Sequence, residues 1–254
     1  MNLDLTGKNA LVCGSTGGIG KAAALELAAL GAHISLLARD EEKLMRTLPE
    51  LPGSGHTTIM ADLSRPETLA AAVAGRTFHI LINNTGGPTP GQALDASVQD
   101  FETAFHTHLG SAQTLTQLLA PGMKQAGYGR IINVISTSVK IPIFGLGVSN
   151  TIRGAMASWA KTMSLELGPH GITVNNVLPG STMTPRLEQI IRNRAEKSGK
   201  TPDEVTREMM AEVPMRRISE PHEVAAMIAF LASPAASYVN GTSIPVDGGR
   251  TGSI

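Results

Sequence analysis

Aromatic side chains are scarce in this chain of 254 residues: one Trp, two Tyr and five Phe, 3% in all. A core must therefore be built mainly from Ala, Leu, Ile and Val. A single cysteine, Cys13, excludes an intramolecular disulfide and suits a reducing compartment, so a cytoplasmic location is expected. Net charge is also missing, because 21 Lys and Arg balance 21 Asp and Glu. That balance removes any electrostatic ground for expecting nucleic acid or an anionic membrane as partner. No apolar stretch approaches the roughly 20 residues that cross a bilayer. The opening residues, Met1-Asn2-Leu3-Asp4-Leu5, show no basic region followed by an apolar run, so no secretory signal is expected. Repeats, low-complexity tracts and an interdomain linker are absent too, and no metal is expected. A length of this order suits one α/β domain with one sizeable core, here taken as residues 1–254.

What is present begins at residues 9–13, a short apolar run ending at glycine, the profile of a buried strand. Gly14-Ser15-Thr16-Gly17-Gly18-Ile19-Gly20 follows, and then residues 21–30, rich in strong helix formers. Glycines in such a turn let the backbone approach a ligand closely, and the opening helix aims free N–H groups at an anion. Between a strand and a helix, the turn reads as a pyrophosphate cradle; the plainer alternative is a tight turn. Residues 33–37 form the second strand, ending in Ala38-Arg39-Asp40. Position 38 is where an acid commonly holds the ribose hydroxyls of a dinucleotide. An arginine beside it can meet a 2′-phosphate, which favours NADP and leaves NAD possible. Asp40 is a competing acid one step on, and Arg39 could equally be a solvated charge opening the helix of residues 41–48.

Residues 57–61, 80–83, 130–135, 172–178 and 243–246 read as further strands, and 66–73, 97–124, 149–167 and 221–231 as helices. This alternation predicts a parallel sheet covered by helices on both faces. Ligands of such sheets lie at the carboxyl ends of the strands. The residues to inspect are therefore Asp62, Asn83-Asn84-Thr85-Gly86, Ser136 and Pro179-Gly180. Residues 181–213 are polar, contain Pro185 and Pro202, and carry a charge-rich run around Gly199. Placed after a strand end, they suit a mobile helical lid over a substrate or, alternatively, an exposed insertion.

Several pieces together resemble the short-chain dehydrogenase/reductase family, in the subgroup similar to 3-oxoacyl-acyl-carrier-protein reductases. They are Gly14 to Gly20, Ala61-Asp62-Leu63, Asn83-Asn84-Thr85-Gly86, Gly129-Arg130-Ile131-Ile132-Asn133, Gly171 to Gly180, Tyr238-Val239-Asn240-Gly241-Thr242 and Pro245-Val246-Asp247-Gly248-Gly249. The resemblance covers essentially the whole chain. It implies a Rossmann-type doubly wound parallel sheet, a nicotinamide cofactor, a small carbonyl or alcohol substrate and usually a homotetramer, formed through residues 97–124 and 149–167. It places Gly14, Ser15, Thr16, Gly18, Ile19 and Gly20 at the pyrophosphate, and Asp62 and Leu63 beside adenine. Asn84 and Gly86 fall along the ribose and adenine side. Pro179, Gly180, Thr182 and Thr184 fall at the nicotinamide end. Two of these have structural alternatives: Asn84 as a brace between strands, and Thr184 as a helix cap.

The family's chemistry uses a serine, then a tyrosine and a lysine four residues apart, and an asparagine on the preceding long helix. Ser136 takes the serine position. Ser149 stands where tyrosine belongs, Arg153 where lysine belongs and His108 where asparagine belongs. Neither of the two tyrosines, Tyr128 and Tyr238, has a lysine four residues on. Residues 149 and 153 still share a helical face. A serine hydroxyl is a far weaker acid than a tyrosine with a pKa of roughly 10. Arg153 keeps the positive charge and the capacity to hold ribose hydroxyls, but a guanidinium does not relay protons. His108 is the group there that ordinarily titrates near neutrality. It is expected either to protonate the carbonyl oxygen, directly or through water and Ser149, or only to pack within its helix. Ser136 would hydrogen-bond the carbonyl or merely cap the strand end, and Asn150 offers an amide. His106, on a different helical face, reads as structural. Three functions stay open: an NADP-dependent oxidoreductase with an atypical catalytic set, a cofactor-binding scaffold without hydride transfer, and other chemistry on the same fold.

Overall fold

The structure is a computed structural model that describes residues 1–253. Its elements are β1 (Asn9–Cys13), α1 (Gly18–Ala29), β2 (His33–Ala38), α2 (Glu41–Thr47), β3 (Thr57–Met60), α3 (Leu69–Val73), β4 (Ile80–Asn83), α4 (Val98–Phe105) and α5 (Ser111–Ala126). Then follow β5 (Gly129–Val134), α6 (Gly147–Leu167), β6 (Ile172–Pro179), α7 (Pro185–Ser198), α8 (Pro202–Ala211), α9 (Pro221–Ala232) and β7 (Ser243–Val246). The strands form one seven-stranded sheet in the order β3-β2-β1-β4-β5-β6-β7, every pair parallel. The order reverses between β1 and β4, which opens a crevice at their carboxyl ends.

Alternation along the strands distributes the core between two faces. In β1, Ala10 and Val12 join Ile34, Leu36, Ile80 and Ile82 under α1 and α9, whose Ala23, Ala24, Leu27, Ala225 and Ile228 meet them. Leu11 and Cys13 face the other way, toward α3, α5 and α6, through Leu69, Leu115, Met123 and Ala160. Each fully buried Leu or Ile contributes about 1.5–3 kcal/mol of transfer energy. The small alanines of α1 and α9 let these helices lie close on the sheet.

A polar line crosses the same sheet. Asn83 Nδ2 donates to Asn133 Oδ1 at 2.8 Å, Asn133 Nδ2 to Asn176 Oδ1 at 2.9 Å, and Asn176 Nδ2 to Ser243 Oγ at 3.0 Å. These residues are register partners on β4, β5, β6 and β7. Misregistering any of these strands leaves buried amides without partners, so the line specifies register at the cost of polar burial.

One expected element differs. The helix read over residues 97–124 is interrupted by a π-helical turn at His106–Gly110, which carries His108 inward. Residues 181–213 hold α7 and α8, with their own small core of Leu187, Ile191, Ala195 and Val205. Pro185 and Pro202 open these helices behind the caps Thr184 and Thr201, and Gly199 closes α7 in the left-handed region at φ +68°.

Candidate active site

The crevice at the strand ends is a cleft of about 1170 Å³. It runs from Arg39, Lys43 and Asp62 past Gly14, Thr16 and Asn84 to Thr85, Gly86, His108, Val148 and Arg186. Its first wall is the glycine turn. A Cβ on Gly20 would sit 2.2 Å from Gly14 O, and one on Gly14, at φ +58°, 2.7 Å from Asn84 O. The turn therefore closes tightly only with glycine at both places. The N-cap of α1 is Gly17, which offers no side-chain cap, and the first turn holds no acid. The opening N–H groups of α1 are thus left for an external anion. This cradle and the length of the cleft fit a dinucleotide phosphate backbone.

Not every residue expected here faces the cleft. Ser15 is fully buried, and its hydroxyl donates to Leu37 O at 3.3 Å, so its side chain ties β1 to β2 instead of meeting a ligand. Ile19 packs on the core beside α9. Asn84 takes the bracing role, donating through Nδ2 to Cys13 O at 3.3 Å and Gly14 O at 3.2 Å, while still lining the cleft. Thr182 is buried and bonded to Ser219 Oγ at 2.9 Å, and Thr184 Oγ1 caps α7 by accepting from Leu187 N at 3.2 Å. Thr184 also touches the cradle, 3.0 Å from a Cβ built on Gly18. Pro179 and Gly180 end β6, where a Cβ on Gly180 would lie 2.8 Å from Asp247.

At the far end, Asp40 is committed to α2. It accepts from Lys43 N at 3.0 Å and pairs with Lys43 Nζ at 3.1 Å, and these contacts hold its carboxyl below the usual range. Arg39 lines the cleft and has no salt bridge to any acid among the described residues. Asp62 accepts from Ser64 N and Oγ, with Leu63 between them on the wall, and the backbone bond to Ser64 is the first cause of its lowered pKa.

Of the four residues expected to do chemistry, only His108 forms part of the cleft wall. It is 4% exposed, and its Nδ1 is hydrogen-bonded to Thr85 Oγ1. Burial, then the charges of Arg153 and Arg186, push its pKa from 6.5 down to about 2. The ring is therefore neutral at physiological pH, and titration near neutrality, the ground for an imidazolium acid, is not kept. Packing within its own helix is not its role either, because its partner comes from the turn after β4. Arg153 is 8% exposed and donates through Nη1 to Val134 O at 2.8 Å, which pins α6 to the end of β5. Burial, then Arg186, lower its pKa to about 10, so it stays charged at neutral pH. Ser136 Oγ accepts from Ser138 N at 3.1 Å, the strand-end cap, with its own proton left to donate. Ser149 is half-buried and bonds to none of the described residues through its hydroxyl. Asn150 is spent on the backbone of Ile143, at 2.8 Å and 3.4 Å.

Two contributors, Gly87 and Arg186, were missed from the sequence, and a third, Thr85, was singled out at its strand end without a role. Thr85 orients His108. Gly87 lets a guanidinium lie against the chain, since a Cβ there would be 2.8 Å from Arg186 Nη2. Arg186 donates to Gly87 O at 2.6 Å and Pro88 O at 2.8 Å, joining α7 to the segment after β4. The signal for Arg186 was its position: a cation in the first turn of a helix opposes the dipole and needs another reason to be there.

Comparison with known proteins agrees with this geometry. Residues 14–251 match the family model described as enoyl-(acyl carrier protein) reductase. A tropinone reductase homolog of Arabidopsis thaliana is 34% identical over 256 residues, 97% of this chain and 91% of the relative. Oxidoreductase UcpA of Escherichia coli (strain K12) is also 34% identical over 256 residues, with 97% and 95% covered. L-Sorbose reductase from Gluconobacter frateurii, solved in complex with NADPH and L-sorbose, superposes with a TM-score of 0.94 at 28% identity and full coverage of both chains.

Proposed function

Because this chain belongs to the short-chain dehydrogenase/reductase family, we propose that it is an NADP(H)-dependent oxidoreductase that interconverts a small carbonyl compound and its alcohol. The observation that carries the reading is the cleft, uninterrupted from Arg39, which has no salt bridge among the described residues, to the neutral His108. Arg39 would hold the 2′-phosphate, the α1 N-terminus the pyrophosphate, and Asp62 and Leu63 the adenine. Gly14, Thr16, Asn84 and Gly86 line the walls, with Ser15 and Thr182 buried behind them and Ile19 packed on the core. NADPH would supply the hydride.

The chain's own contribution to the reaction is electrostatic. The Ser136 and Ser149 hydroxyls are the short donors able to meet a carbonyl oxygen, and Arg153 keeps a fixed positive charge where negative charge develops. His108, held by Thr85, is a neutral hydrogen-bonding group that can pass a proton along a water chain without itself storing charge. In this reading Arg153 also orders the ribose, α7 and α8 form the lid, and the chain assembles as a homotetramer. Phe105, Leu118 and Leu165 on α4, α5 and α6 are exposed in the isolated chain and support that assembly. Saturable quenching of protein fluorescence by NADPH, followed by oxidation of NADPH across ketones, aldehydes and β-ketoacyl thioesters, tests the proposal. No saturable response to NADPH would end it. The loss of every titrating acid from the site favours a second reading, a cofactor-binding scaffold. Tight NADPH binding with no turnover across the panel would select it.

A further inference from the structure

The segment of residues 87–91 forms a strap across the substrate end of the cleft. On one side Arg186 holds it through Gly87 O and Pro88 O. On the other, Gly91 N donates to Gly145 O at 2.7 Å and Gly147 N to Gly91 O at 2.9 Å, where α6 begins. His108 and Thr85 line the cleft that this strap borders.

The charge balance at this end is one-sided. Neither Arg186 nor Arg153 has a carboxylate within salt-bridge distance among the described residues. No acid contributes to the pKa of Arg153, Arg186 or His108; the charges acting there are the two guanidinium groups themselves. The acids of the cleft are engaged elsewhere: Asp40 caps α2, Asp62 caps its own turn, and Asp100 accepts from Ser97. Asp95 pairs with neither arginine. Arg153 is almost fully buried while Arg186 is exposed to solvent, and an anion at Arg186 would ease the repulsion between the two like charges. Their recorded protein acceptors are one carbonyl for Arg153 and two for Arg186, against five N–H donors on each guanidinium.

We infer that Arg186, backed by the field of Arg153, receives a carboxylate of the substrate, so that the substrate class is an oxo acid and its hydroxy acid, not a neutral ketone. This rests on the oxidoreductase reading above and narrows it. Arginine presents a planar fork matched to a carboxylate, which a lysine does not. The neutral His108 and the serines leave the carboxylate free of competing anions. A cofactor phosphate offers the same anionic oxygens, and Thr184 lies close to the glycine turn, so the experiment must separate the two sources.

The test uses full-length protein saturated with NADP⁺, a state that binds oxo acids without turning them over. Calorimetric titration compares 2- and 3-oxo acids of four to eight carbons with their amides, on wild type and on Arg186→Gln and Arg186→Lys. The acids should bind wild type at least about tenfold more tightly than the amides, the size of a charge-assisted contact. Arg186→Gln should bring this preference close to unity while changing NADPH affinity less than about threefold, and Arg186→Lys should restore part of it. If Arg186→Gln instead weakens NADPH about tenfold and leaves the acid preference intact, the anion is the cofactor's pyrophosphate and the inference is wrong. Equal binding of acids and amides by a wild type that binds NADPH would also overturn it. A wild type that binds no NADPH at all would overturn the oxidoreductase reading first, and this inference with it.

Discussion

Replacing His108 with asparagine tests whether the imidazole is held neutral in the folded protein. The ring is 4% exposed, bonded to Thr85, and its pKa is brought from 6.5 to about 2 by burial and by Arg153 and Arg186. In the unfolded chain it titrates near 6.5. Below that pH the unfolded state takes up a proton that the folded state refuses, so stability falls as acid is added. The contribution is whole above about pH 6.5 and is lost as pH falls toward the folded value. The loss runs at about 1.4 kcal/mol per pH unit, or about 2 kcal/mol between pH 7 and pH 5. That figure holds for any folded pKa below about 4. Urea unfolding of wild type and His108→Asn at pH 7, 6 and 5 isolates the effect, because every other histidine is common to both proteins. His79, whose pKa is also lowered by burial, cancels in this way. The stability difference should move by about 2 kcal/mol in favour of the variant across this range. Parallel curves would mean that the folded ring titrates normally, and the neutral-imidazole argument would fall.

The same reasoning fixes a rate profile: with His108 at about 2 and Arg153 at about 10, turnover should show no break near pH 6.5. A break there that vanishes in His108→Asn would establish an imidazolium acid after all. Asn133→Ala removes the middle of the asparagine line, leaving a donor on Asn83 and an acceptor on Asn176 buried without partners. At about 1–3 kcal/mol each, the loss should be about 2–6 kcal/mol in urea unfolding, and a loss under about 0.5 kcal/mol would show that the line does not specify register. Arg39→Ala should weaken NADPH about tenfold or more and NADH little, measured by fluorescence titration; equal losses would return Arg39 to a solvated charge.

Strand–helix alternation and the glycine turn carried most of the fold, because both are local: the period of the pattern and the absence of Cβ atoms leave few other solutions. The π-helical turn at His106–Gly110 was not legible, since Gly110 weakens a helix there without specifying a wider turn. It becomes visible only when Thr85, far away in sequence, meets the His108 ring. Ser15 and Thr182 were read as ligand residues from their place in motifs, while their hydroxyls are spent on Leu37 O and Ser219. A motif fixes where the backbone goes, but the direction of a side chain depends on the neighbouring strand. Thr184 and Asn84 kept both roles, as cap and brace, because each lies at a turn against the cradle.

The replacements proposed in the family's catalytic set make physical sense together and not singly. An arginine at position 153 cannot give up its proton, and burial, then its charge and that of Arg186, keep His108 from accepting one. A histidine at this buried position therefore adds no acid, and Thr85 supplies the bond that a buried neutral ring needs. Losing the tyrosine hydroxyl at 149 follows the same direction, from a titrating site to a fixed electrostatic one. Such a site stabilises negative charge on a bound molecule by fixed charges and dipoles and leaves proton delivery to a chain of water. In the proposed reaction that property would suit an alkoxide forming from the carbonyl and, on the further inference, a carboxylate carried by the substrate.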